Sequence, residues 1–182
     1  NIENVVGTDF ADRLKGDNYA NNLSGGASDD NLEGRGGADV LDGGAGQDVA
    51  SYASSSSAVN VNLATSSGTG GDADGDTYVD IEGVEGSDFN DSLTGDANAN
   101  ILMGNDGNDI LIGGGGADNL QGGEGYDTAG YQGAASAVNV DLTLGTGTGR
   151  DATGVRSASI DDVIGTDFDE HVAGDAGVKR GG

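Results

Sequence analysis

Every ninth residue along two long stretches of this chain is apolar. The column reads Val5, Leu14, Leu23, Leu32, Leu41 and Ala50, then Val84, Leu93, Leu102, Leu111, Leu120 and Ala129. A glycine opens each nine-residue unit: Gly7, Gly16, Gly25, Gly34 and Gly43, then Gly86, Gly95, Gly104, Gly113 and Gly122. The sixth position is Asp or Asn throughout: Asp12, Asn21, Asp30, Asp39, Asp48, then Asp91, Asn100, Asp109, Asp118, Asp127. Glycines reach backbone angles that other residues resist, so six residues can close a tight turn. The remaining three, centred on one inward apolar side chain, make a short strand. A turn plus a strand is half a coil. Successive coils stack parallel strands about 4.8 Å apart into two facing sheets.

A longer repeat is laid over the short one. Ile2, Ile81 and Ile160 open three similar segments, each ending in Asp-Phe. This divides the chain into a block at 1–79, a second at 80–158 and the start of a third, truncated, at 159–182. Nonapeptides fill 7–51 and 86–130, and inserts fill 52–79 and 131–158. In the inserts, Val59-Asn-Val-Asn-Leu63 and Val138-Asn-Val-Asp-Leu142 alternate apolar and polar residues and predict half-buried strands. They are expected to extend or cover the stack, not to act as linkers. Thr65–Gly71 and Thr143–Gly149 are rich in Gly, Ser and Thr and predict loops. No segment predicts a helix.

Composition sets a difficulty. One Leu or Val per nine residues buries too little apolar area to offset the ordering of those residues. The net charge is −25. Such a chain alone reads as disordered, so another agent must hold it. The acidity argues against nucleic acid or an anionic membrane as a direct partner. Without Cys there is neither a disulfide nor a thiolate metal site. No run of about 18 apolar residues is present. The start, Asn1-Ile-Glu-Asn-Val5, has neither the basic nor the apolar part of a signal peptide and begins within the pattern, so the chain reads as a fragment of a larger protein.

The most regular stretch is Gly104–Gln121. It holds Gly104-Asn-Asp-Gly-Asn-Asp109 and Gly113-Gly-Gly-Gly-Ala-Asp118, each followed by a strand centred on Leu. It resembles the G-G-x-G-x-D-x-U-x nonapeptide of the RTX, or hemolysin-type, family, where U is apolar. The resemblance covers about residues 1–51, 77–130 and 156–176. It implies an all-β right-handed parallel β-roll stabilised by Ca²⁺, with additional strands between the blocks. It also implies a non-catalytic module of a large bacterial protein, secreted or held at the cell surface. Such a module folds on Ca²⁺ outside the cell and supports type I secretion of its parent. The alternatives are an adhesive or surface-layer repeat and an accessory module of a carbohydrate-active enzyme, with polysaccharide or another copy as partner.

Ca²⁺ takes six to eight oxygens. Turns one coil apart share an edge, which pairs Asp12 with Asp30, Asn21 with Asp39, Asp30 with Asp48, Asp91 with Asp109, Asn100 with Asp118 and Asp109 with Asp127. Roughly six or more ions are expected, one for each pair. Turn residues Gly26, Gly37, Gly44, Gly46, Asn105, Gly107, Gly114, Gly116, Gly123 and Gly125 are expected to add backbone carbonyls. The units at Gly7, Gly16, Gly86 and Gly95 depart from the pattern. They lack the second glycine and carry Phe10, Tyr19, Phe89 and Asn98 at the fourth position. They read as a lead-in coil. Asp72-Ala-Asp74-Gly-Asp76 resembles the opening of an EF-hand loop, though Thr77 stands where that loop has Gly. His171, the single histidine, falls on an outward position. No nucleophile, phosphate-loop or Cys/His pattern points to an enzyme.

Overall fold

The computed structural model describes residues 3–134, 136–149, 152, 156–166, 168, 169 and 171–173. Strands β1 (Asn4–Val6), β3 (Asn22–Ala27), β5 (Val40–Ala45) and β9 (Thr77–Val79) form one sheet. Between them in sequence run β2 (Arg13–Lys15), β4 (Asn31–Glu33), β6 (Val49–Ser51) and β10 (Gly83–Glu85), which open a second sheet. That sheet continues through β12 (Ile101–Asp106), β14 (Asn119–Glu124) and β18 (Arg156–Ala158), then β17 (Thr146–Thr148), β16 (Asn139–Asp141) and β20 (His171–Ala173). A third sheet holds β7 (Asn60–Asn62), β8 (Ser67–Thr69), β11 (Ser92–Thr94), β13 (Ile110–Ile112), β15 (Thr128–Gly130) and β19 (Asp162–Ile164). The nonapeptide strands pair in parallel, as an all-β roll requires.

Register follows the sequence period. Val5, Leu23, Leu41 and Tyr78 stack on one side of the core. Leu14, Leu32, Ala50, Val84, Leu102 and Leu120 stack on the other. Leu23, Leu32, Leu41, Leu93, Leu102, Leu111 and Leu120 are wholly shielded from solvent. A strand of three residues presents only its middle side chain inward, so the core is a single file of residues from each sheet.

Seven crossings carry the chain from β1 to its repeat counterpart β10, by way of β2, β3, β4, β5, β6 and β9. Seven is odd. The second block therefore enters on the sheet opposite to the one where the first began: β10, β12, β14 and β18 repeat β1, β3, β5 and β9 across the core.

The inserts are built into the roll. In the first, β7 pairs in parallel with β11 and antiparallel with β8, while β9 adds to β5. In the second, β16 pairs with β20 and β17, and β18 adds to β14. Val59, Val61, Val138 and Val140 are buried, so the alternation in sequence marks the inward face. Two expectations need correction. Thr65–Gly71 and Thr143–Gly149 are not only loops: each contains the return strand of a hairpin, Ser67–Thr69 and Thr146–Thr148. Small residues give no periodic signal, and here the neighbouring strand dictates the conformation. Among the described residues a 3₁₀ turn, Gly71–Ala73, is the one helical element, where the sequence predicted none.

Glu33, the ninth residue of its unit, is buried. Lys15 lies 2.5 Å from it and Arg35 3.8 Å, and Ser54 from the insert donates a hydrogen bond to it. Burial alone would raise its pKa, but Lys15, Ser54 and Arg35 outweigh burial and hold it below the usual carboxylate range. Part of the small cationic complement of the chain is thus spent on one carboxylate of the outer face.

Candidate metal centres

The sixth-position residues form two ladders, one along each edge of the roll. The backbone N–H of one residue donates to a side-chain oxygen of the residue one coil on. Asp12 donates to Asp30 Oδ1 at 2.7 Å, and Asp30 to Asp48 Oδ1 at 2.7 Å. Asn21 donates to Asp39 Oδ1 at 2.7 Å on the other edge. In the second block, Asp91 donates to Asp109 Oδ1 at 2.7 Å, Asp109 to Asp127 Oδ1 at 2.9 Å and Asn100 to Asp118 Oδ1 at 2.9 Å. All six pairs expected from the spacing are brought together.

Three further carboxylates extend the ladders: Glu82 and Asp161 were missed in the sequence, and Asp76 was read there only as part of an EF-hand-like loop. Asp39 N–H donates to Asp76 Oδ1 at 2.8 Å, Asp48 N–H to Glu82 Oε2 at 3.0 Å and Asp127 N–H to Asp161 Oδ2 at 3.0 Å. Asp76 had a readable signal. Gly71–Val79 keeps the unit length, with Gly at the first position, Asp at the sixth and an aromatic, Tyr78, at the eighth. The Asp72, Asp74 and Asp76 of the EF-hand-like reading are drawn into different surroundings. Asp76 is buried, Asp72 half-buried and Asp74 exposed. Tyr52 Oη donates to Asp76 Oδ2 at 2.8 Å and lies 2.7 Å from Tyr78 Oη. Burial pushes Asp76 up to about 7, against the N–H of Asp39 and the Tyr52 hydroxyl.

The second oxygen of each carboxylate divides the turns into two kinds. Asp30, Asp39, Asp48, Asp109 and Asp127 each hold a buried Oδ2 with no hydrogen-bond partner. Asp118 Oδ2 occupies the same place, over Gly113 of its own unit. Burying a carboxylate oxygen without a donor is costly. Desolvation by burial raises the pKa of Asp39, Asp48 and Asp127, and the Asp109 carboxyl reaches about 6, with the charges of Asp91 and Asp127 adding to the effect of burial. Four turns differ. Thr8 N–H donates to Asp12 Oδ2 at 2.6 Å and Ser87 N–H to Asp91 Oδ2 at 2.6 Å. Asp17 N–H donates to Asn21 Oδ1 at 2.8 Å, and Asp96 N–H to Asn100 Oδ1 at 2.8 Å. These four are the lead-in units of the sequence.

Backbone conformation explains the division. The second residue has a left-handed φ in every turn of the first kind: Gly26 111°, Arg35 67°, Gly44 94°, Asn105 78°, Gly114 87° and Gly123 115°. Thr8, Asp17, Ser87 and Asp96 do not. The fourth residue is also left-handed at Ser28, Gly37, Gly107, Gly116 and Gly125. Gly46 is not left-handed, but it packs over the Ser28 carbonyl one coil below.

The open oxygens face backbone carbonyls. A Cβ on Gly25 would stand closer than 3.0 Å to both Asp30 Oδ2 and the Gly43 carbonyl oxygen. The same holds at Gly104 for Asp109 Oδ2 and the Gly122 carbonyl, and at Gly122 for Asp127 Oδ2 and the Ser159 carbonyl. Acceptors therefore converge where only glycine leaves room. Among the described residues, no three His, Cys, Asp or Glu side chains gather as a metal cluster. The donor set is one carboxylate per turn with main-chain carbonyls, all oxygen. It fits a hard cation such as Ca²⁺ and lacks the imidazole and thiolate donors that Zn²⁺ favours.

Comparison with known families agrees with this chemistry. The RTX calcium-binding nonapeptide repeat matches in four copies, at residues 6–41, 15–50, 84–111 and 94–129, which together span half of the chain. No curated protein matches the sequence.

Proposed function

Since the chain belongs to the RTX calcium-binding nonapeptide repeat family, we propose that it is a Ca²⁺-dependent folding module of a secreted protein, without catalysis of its own. The observation that carries this reading is the row of buried, unpartnered Oδ2 atoms in a chain of net charge −25. Roughly six ions, one at each open turn, would supply the missing positive charge. Asp30, Asp39, Asp48, Asp109, Asp118 and Asp127 would be the carboxylate ligands, with carbonyls of the glycine-rich turns beside them. Asp12 accepts from Thr8, and Asp91 from Ser87 and Val59, so these other two carboxylates expected from the spacing would take no part in the ion count.

An ion that binds only the folded chain adds its binding free energy to stability. Extracellular modules bind Ca²⁺ at about 10⁻⁴–10⁻³ M. At the much lower Ca²⁺ of a cytosol the chain would remain unfolded, a state suited to export through a narrow channel, and it would fold on arrival outside. The blocks 1–79 and 80–158 would then act as one continuous rod that supports the parent protein, with 159–182 opening a third block. Circular dichroism tests the reading: strand content should be absent in chelator and appear with millimolar Ca²⁺. Strand content that chelator leaves unchanged would overturn it.

A further inference from the structure

Two of the four lead-in turns, those opened by Gly7 and Gly86, carry a sixth-position carboxylate, and acceptors converge there as in the open turns. A Cβ on Gly86 would stand closer than 3.0 Å to Asp91 Oδ2 and to the Gly104 carbonyl oxygen. What differs is the occupant. Ser87 is wholly buried, and its Oγ donates toward both Asp91 oxygens, at 2.8 Å to Oδ1 and 3.1 Å to Oδ2. Its N–H donates to Oδ2 as well, at 2.6 Å. Asp91 Oδ1 also accepts from Val59 N–H at 2.7 Å. Four contacts from three donors leave little lone-pair capacity on this carboxylate. Block one repeats the device: Thr8 Oγ1 lies 2.9 Å from Asp12 Oδ2, and Thr8 N–H bonds the same oxygen.

We propose that Ser87, and Thr8 in the first block, fill the place a cation takes in the open turns, so that the second residue of a unit decides whether its turn binds Ca²⁺. A left-handed second residue, whether glycine, Asn105 or Arg35, leaves the carboxylate open. A hydroxyl residue in ordinary conformation closes it with its own N–H and O–H. Each block thus begins on a metal-free turn, and the ion series starts only beyond it. The inference rests on the calcium reading above, and it identifies which of the repeated carboxylates are not ligands.

Equilibrium dialysis against radioactive Ca²⁺, with the full chain, counts ions per molecule. The wild-type count reports on the calcium reading itself. Asp91→Asn keeps one acceptor oxygen for the Ser87 N–H, as Asn100 does for the Asp96 N–H, and should bind as many ions as wild type. One ion fewer would overturn the proposal. Ser87→Gly combined with Phe89→Gly allows the left-handed conformations of an open turn and should bind one ion more than wild type. Adding Asp91→Asn to that pair should remove the extra ion. If the double variant folds in Ca²⁺ and keeps the wild-type count, the proposal fails. If it does not fold, the Asp91→Asn count alone decides.

Discussion

The turns at 86–91 and 104–109 lie one coil apart on the same edge, and their Asp residues are joined by a hydrogen bond. Yet Asp91 is closed by donors from its own turn and from Val59, while Asp109 keeps a buried oxygen with no donor. The two turns differ in backbone conformation: Asn105 and Gly107 are left-handed, whereas Ser87 and Phe89 are not. The difference lies in whether the second residue lends an N–H inward. The closed turns are complete as protein. The turns at Asp30, Asp39, Asp48, Asp109 and Asp127 leave a buried carboxylate oxygen without a donor, which a cation would satisfy.

Removing Ca²⁺ should have the largest effect and should not respect the comparison. Hydrogen exchange in chelator should show protection lost at β11, beside the closed turn, as well as at β13 and β15, since a strand of three residues has no stability apart from its neighbours. Protection that survived around the lead-in coils alone would show that they fold by themselves.

Single substitutions sharpen the contrast. Asp109→Ala should raise the Ca²⁺ concentration at the folding midpoint by about tenfold or more, because a ligand is lost between two stacked turns. Asp12→Ala should move it by less than about threefold, since its turn is closed from within. Equal midpoints, read by circular dichroism during titration, would break the distinction.

Acidity should partly replace the ion. The Asp109 carboxyl is raised to about 6 in the fold, and Asp39, Asp48 and Asp127 are raised in the same direction. A carboxyl whose folded pKa lies above its unfolded value binds its proton more tightly when folded. Its contribution is fully present below the unfolded value, about 4, and is lost as pH rises through the folded one. In chelator, strand content should therefore be greater near pH 4.5 than near pH 8. Asp109→Asn should reduce that dependence. No pH dependence between those limits would show that the open oxygens are not what destabilises the ion-free fold.

The smallest expected effect lies in the first insert, where a turn is closed by a tyrosine. Tyr52→Phe removes the hydroxyl that donates to Asp76 Oδ2. Leaving that buried oxygen without its donor should cost roughly 1–3 kcal/mol in saturating Ca²⁺. Urea unfolding measures it, and an unchanged midpoint would show that Asp76 needs no donor from Tyr52.

Much of this arrangement was legible in the sequence, because a period of nine is a geometric statement. The apolar column gave the core residues, and the eighteen-residue spacing gave the pairs later found joined along each edge. The valine alternation at Val59 and Val138 gave the insert strands. Other features depend on partners far along the chain. Ser67–Thr69 is a strand only because β7 lies beside it. Glu82 and Asp161 join the ladders through turns shorter than the repeat, so counting in nines passes over them. The closing role of Thr8 and Ser87 was hidden for another reason. A missing second glycine reads as decay of the motif, whereas the structure shows specific hydrogen bonds in its place.

The odd number of crossings in a block has a consequence for the outside of the rod. In the language of symmetry, a 79-residue repeat with seven crossings relates neighbouring blocks by an approximate twofold screw along the roll. A side chain displayed to one side by the first block is displayed to the other side by the second. Like surfaces recur on one side only at every second block, so the rod has no constant front or back. A flat partner pressed against one side would meet each kind of surface at twice the block spacing.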